Sequence, residues 1–524
     1  MTPNRPVLAA VALAAFCLAA DAQTLKVAVQ ADPEGLDPLL HHHASGKLVV
    51  QHVAESLVGY RSDLSIAPVL AERIDVSPDG RRYRFPIRDG AKFHNGAPVT
   101  AADVTWVFQR YYFDPARKWE CRSFYDGTGT TEERTAGVAV EQVRAIDRRT
   151  VEFRLAKPSS LFLHRLADTS CAPVVFHRAS LGPDGQLREL IGTGPFRVAH
   201  WRKGELLRIE KFADYQPRSE QRDGYGGARI AQVQAIELVV IPDSARALAA
   251  LQAGAVHVLP DVELADYRAG RDKPGVKAVV TPLTSWYDLL IQTTDPLLAD
   301  KRLRQAIAHA IDLDYVAAVA TEGRSRGNPS VIPLGAQYHT ATHDQRRALD
   351  TARARELIRE AGYEGALIRL QTSNDAYPLL YPAAVAVRSM LRAVGLNVEL
   401  ETLPWREQLD EHYRGGSFQL NLFLFGGRNS PTLSYGKFIG PKASLARFQW
   451  DDEGAFALVQ QAENATSDEA LQATYDELHR RLVEDVPTIP LFNDERFDLI
   501  GEKVHGYEPA RFMRVPLWGV QLEP

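Results

Sequence analysis

After Thr100 the apolar residues fall at helical spacing, so that Val104, Val107, Phe108 and Tyr111 share one face. Asn95-Gly96 and Pro98 just before them are turn chemistry, because Gly supplies positive φ and Pro fixes its own. Thr100 is placed to accept a first-turn N–H, and Asp103 three residues on completes a capping-box start that suits the helix dipole. Val151–Leu155 and Ala235–Ile241 read as strands from β-branched content and partial alternation. Asp243–Gly254 reads as a helix with Asp243 as N-cap and Gly254 at its stop.

From about Leu283 the chain has a βαβ pattern of its own. Ala366–Gln371 is a predicted strand, Pro378–Val394 a helix carrying Val385, Val387, Met390 and Leu391, and Leu396–Leu403 a second strand, with Gly395 at the helix stop. This order implies a parallel pair joined by a right-handed crossover. A further strand, Gln419–Phe425, runs into a loop at Gly426-Gly427, and Pro487–Leu491 and Val515–Leu522 are short strand-like segments near the end.

The length of 524 residues allows about three or four domains. Hydrophobic residues at 45% and charged residues at 24% are ordinary globular values. A net charge of -5 with no run of Lys or Arg argues against a nucleic-acid partner. Residues 1–22 read as a cleavable signal peptide: Arg5, the apolar Val7–Ala20 run and an Ala20-Asp21-Ala22 cleavage site. That run is shorter than the roughly 20 residues a membrane-spanning helix needs, and Phe16 stands where a lipoprotein signal before Cys17 wants a small residue. Export to the periplasm follows. Cleavage leaves Cys121 and Cys171, for which an oxidising compartment favours a disulfide, the alternative being two unpaired buried thiols.

Several of these segments, in this order, carry a resemblance. Arg88–Phe113 (RDGAKFHNGAPVTAADVTWVFQRYYF), the Gly192–Val198 turn with Trp201 and Phe212–Tyr215, the Asp300–Asp312 and Arg353–Tyr363 helices and the Pro487–Leu491 strand are similar to the signature segments of the family 5 extracellular solute-binding proteins. These are the dipeptide, oligopeptide and nickel receptors of bacterial ABC importers. The resemblance implies an α/β, two-lobed periplasmic binding protein of the cluster-C type, its lobes joined by two hinge crossovers near Leu283–Tyr287 and Pro487–Phe492. The expected division is lobe I over 23–284 with an extra subdomain at about 55–190, lobe II over 285–488, and a return to lobe I over 489–524. It further implies a monomer that takes a peptide or peptide-like solute and hands it to an inner-membrane ABC permease, without catalysis and with no cofactor.

Candidate ligand contacts follow from the same comparison. His41, His42 and His43 come after Leu36-Asp37-Pro38, which resembles the family's segment before a cleft-facing loop. Neighbours in an extended loop point in different directions, so hydrogen bonding by His42 and His43 is favoured over a metal site. Trp286 and Tyr287 lie on the expected first crossover, where aromatic faces could meet ligand, the alternative being core packing. Trp405 reads as packing, and Arg302 and Arg304 as structural charges. In the peptide receptors the loop after the Gln419–Phe425 strand carries an Asp for the peptide ammonium; here Gly427 stands there, beside Arg428 and Asn429. A guanidinium suits carboxylate or phosphate, so the ligand is expected to bear an anionic group, with a surface or inter-lobe ion pair as the other role for Arg428. The remaining readings are a nickel or metal-chelate receptor, a sensory adaptor, and a secreted hydrolase with dispersed catalytic residues. No G-x-S-x-G, H-E-x-x-H or Walker A motif is present.

Overall fold

The computed structural model describes residues 24–39, 44–128, 138–168, 170–171, 173–512 and 515–523. The expected signal peptide and His41, His42 and His43 lie outside them. A ten-stranded mixed sheet forms the backbone of the fold. Its strands in chain order are β1 (Thr24–Val29), β2 (Phe196–Arg202), β3 (Leu206–Lys211), β4 (Ala235–Val240), β5 (Val258–Val262), β6 (Val276–Ile291), β7 (Ile368–Thr372), β8 (Val398–Thr402), β9 (Leu420–Phe425) and β10 (Thr488–Gly501). Across the sheet they run β2-β3-β4-β1-β5-β10-β6-β9-β7-β8. Strands β1, β4 and β5 are parallel on one side, and β7, β8 and β9 are parallel on the other. Between these blocks stand β6 and β10, paired antiparallel. Sheet and helices together make a two-lobed α/β fold.

The helices needed below are α1 (Ala44–Val53), α2 (Ala101–Val107), α3 (Ser244–Gln252), α4 (Leu264–Gly270) and α5 (Leu380–Ala393). At α2 the Asp103 N–H donates to the Thr100 hydroxyl at 3.3 Å, and the Thr100 N–H donates to the Asp103 carboxylate at 3.1 Å. This is the capping box its sequence announces. The helix continues as a wider π-turn over Phe108–Tyr112, and Val104, Val107, Phe108 and Tyr111 are all fully buried. Asp243 caps α3 by accepting from the Arg246 N–H, and α5 joins the parallel β7 and β8. Gly192 and Gly194 lie against the backbone of His52 and Val53; a Cβ on Gly192 would sit 2.7 Å from the Val53 carbonyl carbon.

Two segments differ from expectation. Pro487–Leu491 is only the start of β10, which runs on to Gly501. Its continuation carries Glu495, Arg496 and Asp498, all buried, and opposite charges make that burial tolerable: Arg324 meets Glu495 at 3.0 Å and Arg496 meets Asp498 at 3.2 Å. Conversely, Val515–Leu522 contributes only the two-residue strand Gln521–Leu522. Its Leu517 and Trp518 are buried by packing rather than by pairing, and Trp518 meets the His52 ring at 4.9 Å. The expected packing role of Trp405 is seen in its stacking on Phe423 at 4.9 Å. Arg302 pairs with Asp300, and Arg304 is buried on the carbonyls of Leu298, Ala299 and Asp485.

Cys121 and Cys171 are joined as a disulfide with Cα atoms 5.9 Å apart, closing a loop across 50 residues. Such a closure removes unfolded-chain entropy worth about 4 kcal/mol. Replacing both cysteines by Ser should lower stability in urea unfolding by about that amount, and an unchanged midpoint and slope would contradict it.

Candidate functional site

The site forms where the β6–β10 ladder breaks. Pairing runs from Val276–Gly501 to Pro282–Glu495, stops, and resumes at Trp286–Asn493. Pro282 offers no N–H to a ladder, and an irregularity in a strand re-aims the residues it releases. Leu283, Thr284 and Ser285 turn out of register and line a cavity of about 210 Å³. The Asn493 amide still donates to the Ser285 carbonyl at 3.3 Å, and the Thr284 N–H donates to the Arg511 carbonyl at 3.2 Å. The bulge is therefore tied on both sides.

One wall comes from the first part of the chain: Tyr60, Phe124, His164, Arg165 and Asp168, with Cys171 beside them. The Tyr60 hydroxyl donates to the His164 carbonyl at 3.1 Å and lies the same distance from His164 Nδ1. Burial, reinforced by the Arg165 charge, pushes the His164 imidazole down to about 4, so it is neutral near pH 7. Arg165 is itself buried, its guanidinium 3.8 Å from the centre of the Phe124 ring, a cation–π contact. The disulfide fastens this wall, since Cys171 lines the cavity and Cys121 lies in the turn that carries Phe124.

The facing wall is the loop after β9, with Gly427, Arg428 and Asn429. A Cβ on Gly427 would overlap the Thr284 hydroxyl and stand 2.9 Å from the Ser285 nitrogen. The loop backbone rests directly on the bulge, so no side chain fits at 427, and a carboxylate at that position is excluded by space. Arg428 Nη1 donates to the Gly427 carbonyl at 3.1 Å. Thr284 reaches the Asn429 side-chain oxygen at 3.5 Å, and Asn429 and Tyr60 line the cavity from opposite walls. Two guanidiniums, one carboxylate, hydroxyls and an amide thus converge on one cavity.

Trp286 and Tyr287 are core residues rather than cavity residues, which corrects the expectation that they meet ligand. Each is 1% exposed. Trp286 stacks on Phe425 at 4.9 Å on one face of the sheet, and Tyr287 stacks on Phe492 at 4.7 Å on the other. Because β6 is an interior strand with apolar cover on both faces, alternation sends both rings into a core. Their neighbours Thr284 and Ser285 reach the cavity instead. Tyr60, His164, Arg165 and Asp168 were not singled out from sequence; the signal available was the His164-Arg165 pair inside the otherwise apolar run Leu161–Ala167.

The known proteins most informative for this architecture are receptors. A two-lobed α/β chain with a polar cavity at its seam has the form of a solute-capturing protein. Residues 65–443 match the model of the bacterial extracellular solute-binding proteins, family 5, middle region. The chain is 28% identical over 523 residues to di/tripeptide-binding protein 4 of Pseudomonas aeruginosa, covering 93% of both. Among solved structures it superposes on the murein tripeptide-binding protein MppA in its unliganded open form with a TM-score of 0.79, at 21% identity, over 95% of this chain and 97% of that one. On DppA of Helicobacter pylori in complex with the peptide STSA the TM-score is 0.62, at 23% identity, over 96% and 98%. The chain belongs to the family 5 bacterial extracellular solute-binding proteins.

Beneath the bulge, Asp288 is fully buried and accepts from the Trp286 indole N–H at 2.9 Å and from the Thr488 hydroxyl. Burial outweighs these donors and pushes its carboxyl up to about 6. The folded state therefore holds a proton between about pH 4 and 6 that the unfolded chain releases, and stability falls as pH rises through that window. A shift of this size corresponds to about 3 kcal/mol. Asp288→Asn should flatten the pH 4–7 stability profile by roughly that amount; a variant profile parallel to that of wild type would contradict it.

Proposed function

We propose that this protein is the periplasmic receptor of an ABC importer and captures a peptide or peptide-like solute in the seam cavity. The carrying observation is the composition of that cavity: Arg165 and Asp168 from one wall and Arg428 from the other, around the neutral donors and acceptors of Tyr60, Thr284, Ser285 and Asn429. Arg428 takes an anionic group, which a peptide's C-terminal carboxylate supplies, and Asp168 takes its ammonium. This pairing replaces the Asp that has no room at position 427. The names of the relatives support the peptide class, and the Arg428 guanidinium equally favours another organic anion.

Strands β6 and β10 serve as the hinge. Each lobe keeps its own parallel block, and the two long strands pass between them, so bending at the 283–285 bulge closes the walls on a solute. A ligand touching both walls shifts the population toward the closed form by its differential affinity. The exported, monomeric protein then presents the closed form to the inner-membrane permease, and the solute leaves chemically unchanged.

Native mass spectrometry of the protein recovered from its host's periplasm should reveal a bound small solute. Calorimetry with that solute should then show Arg428→Ala weaker by about tenfold to a hundredfold, the worth of a charge-assisted contact. Equal affinities would remove Arg428 from the site.

A further inference from the structure

Three imidazoles lie side by side between the chain at 339–343 and a further helix, α6 (Asp468–Asp485), and none of them lines the seam cavity. The His339 side chain is 7% exposed, and His343 and His479 are fully buried. The ring centres of His339 and His343 are 5.8 Å apart, and those of His343 and His479 are 5.1 Å apart. His343 Nδ1 accepts from the Thr340 N–H at 3.2 Å, and His479 Nε2 donates to the Gln345 carbonyl at 2.8 Å. These bonds occupy one nitrogen of each ring and suit the neutral form. His339 Nε2, His343 Nε2 and His479 Nδ1 are buried and have no hydrogen-bond partner among the described residues.

The segment that carries His339 and His343 also reaches across the seam. The Gln337 N–H donates to the Asp63 carbonyl at 2.7 Å. Gln337 and Tyr338 line a small pocket with Leu64 from the first part of the chain and with Arg428 and Asn429 from the seam loop. Polar contacts fasten the same segment to α6: the Tyr338 hydroxyl donates to Asp468 at 2.8 Å, the Thr340 hydroxyl to Asp476 at 3.3 Å, and the Gln472 amide to the Tyr338 carbonyl at 3.2 Å. The imidazoles therefore sit in the join between α6 and a segment that bridges to Asp63.

We propose that residues 333–345 form an acid-released clasp across the seam: protons taken up by His343 and His479 detach the segment from α6 and break the bridge from Gln337 to Asp63. The clasp regulates the seam site and rests on the reading of that seam as a closing cleft. Charges of both signs face the imidazoles. Asp344 lies 3.9 Å from His339 and Asp476, on α6, lies 3.7 Å from His343, while the Arg326 charge opposes protonation of His339. Burial outweighs the carboxylates and holds His343 down to about 3, His479 down to about 4 and His339 below its ordinary value. A detached segment regains ordinary imidazole basicity, so its docking is at full strength above about pH 6.5 and weakens as pH falls toward 4. Each imidazole then favours the detached form by about tenfold per pH unit. Histidine is the side chain that titrates in this range, and neighbouring imidazolium charges in one buried row repel one another.

Hydrogen–deuterium exchange of the full-length mature protein, read by mass spectrometry of peptides covering 333–345, tests this. After correction for intrinsic exchange, protection there should fall about a hundredfold or more from pH 7 to pH 5, with a logarithmic slope of about two or more per pH unit between pH 6 and 5. The capped helix at 101–112 should show no such fall. The double variant His343→Gln, His479→Gln keeps an acceptor for Thr340 and a donor for Gln345 and leaves only His339 to titrate, so its slope should drop to about one or less. Should that variant not fold, the slope of the wild type decides alone. A wild-type slope of about one or less, an equal fall at 101–112, or a variant slope still near two would each overturn the proposal. No solute enters the experiment, so its failure is distinct from failure of the peptide reading.

Discussion

The antiparallel pairing of β6 with β10 is the constraint on which the rest of the molecule depends. A single ladder, fourteen residues long in β10 and sixteen in β6, joins two parallel blocks that would otherwise be separate sheets. Apolar residues from both strands enter cores on both faces, with Trp286 on one and Tyr287 on the other, so the pair is anchored along its length. The ladder's wide break is at Leu283–Ser285, with a smaller register shift between Tyr287 and Asp288, and the cavity lies at the wide break. The break leaves three residues with backbone and hydroxyl groups free of the strand pairing, and Asn493 and Arg511 hold them in place. Gly427 completes the arrangement by letting the opposing loop settle directly on the bulge.

Charge is distributed along the same pair of strands. Asp288, Glu495, Arg496 and Asp498 are all buried on β6 or β10. Glu495 is matched by Arg324, and burial pushes its carboxyl up while that arginine pulls it down. Such groups cost desolvation energy that opposite charges and hydrogen bonds only partly return. They are better understood as fixing one register for a long ladder, because a slip of one residue would place each charge in the opposite apolar face. Among the described residues, the two terminal nitrogens of Arg496 have no hydrogen-bond partner.

Much of this architecture was legible in the sequence, for identifiable reasons. The capping box at Thr100 and Asp103 is local chemistry, and the β7–α5–β8 unit is a clean change of hydrophobic period with Gly395 as punctuation. The loop at 426–429 was found because it follows a strongly apolar strand, and the structure places Arg428 and Asn429 on the cavity. What escaped depends on distant pairing. The extent of β10 was hidden because its charged residues break the apolar pattern, and Arg324, the partner of Glu495, lies far off in the chain. The inward fate of both Trp286 and Tyr287 required knowing that β6 is interior and covered twice. Tyr60, His164, Arg165 and Asp168 form a wall only once a segment more than a hundred residues away folds beside them, held by the Cys121–Cys171 bridge.

One irregular strand pair holds the two lobes, and its irregularity is both the proposed ligand contact and the proposed point of bending. On that proposal, stability and bending are set in the same few residues, where strand pairing is interrupted and Asn493 and Arg511 hold the bulge. The most direct test of this claim is small-angle X-ray scattering of the mature protein with and without the solute released from the native preparation. Ligand should contract the radius of gyration and move the profile from an open toward a closed two-lobed form. An unchanged profile at saturating solute would contradict closure about the β6–β10 seam.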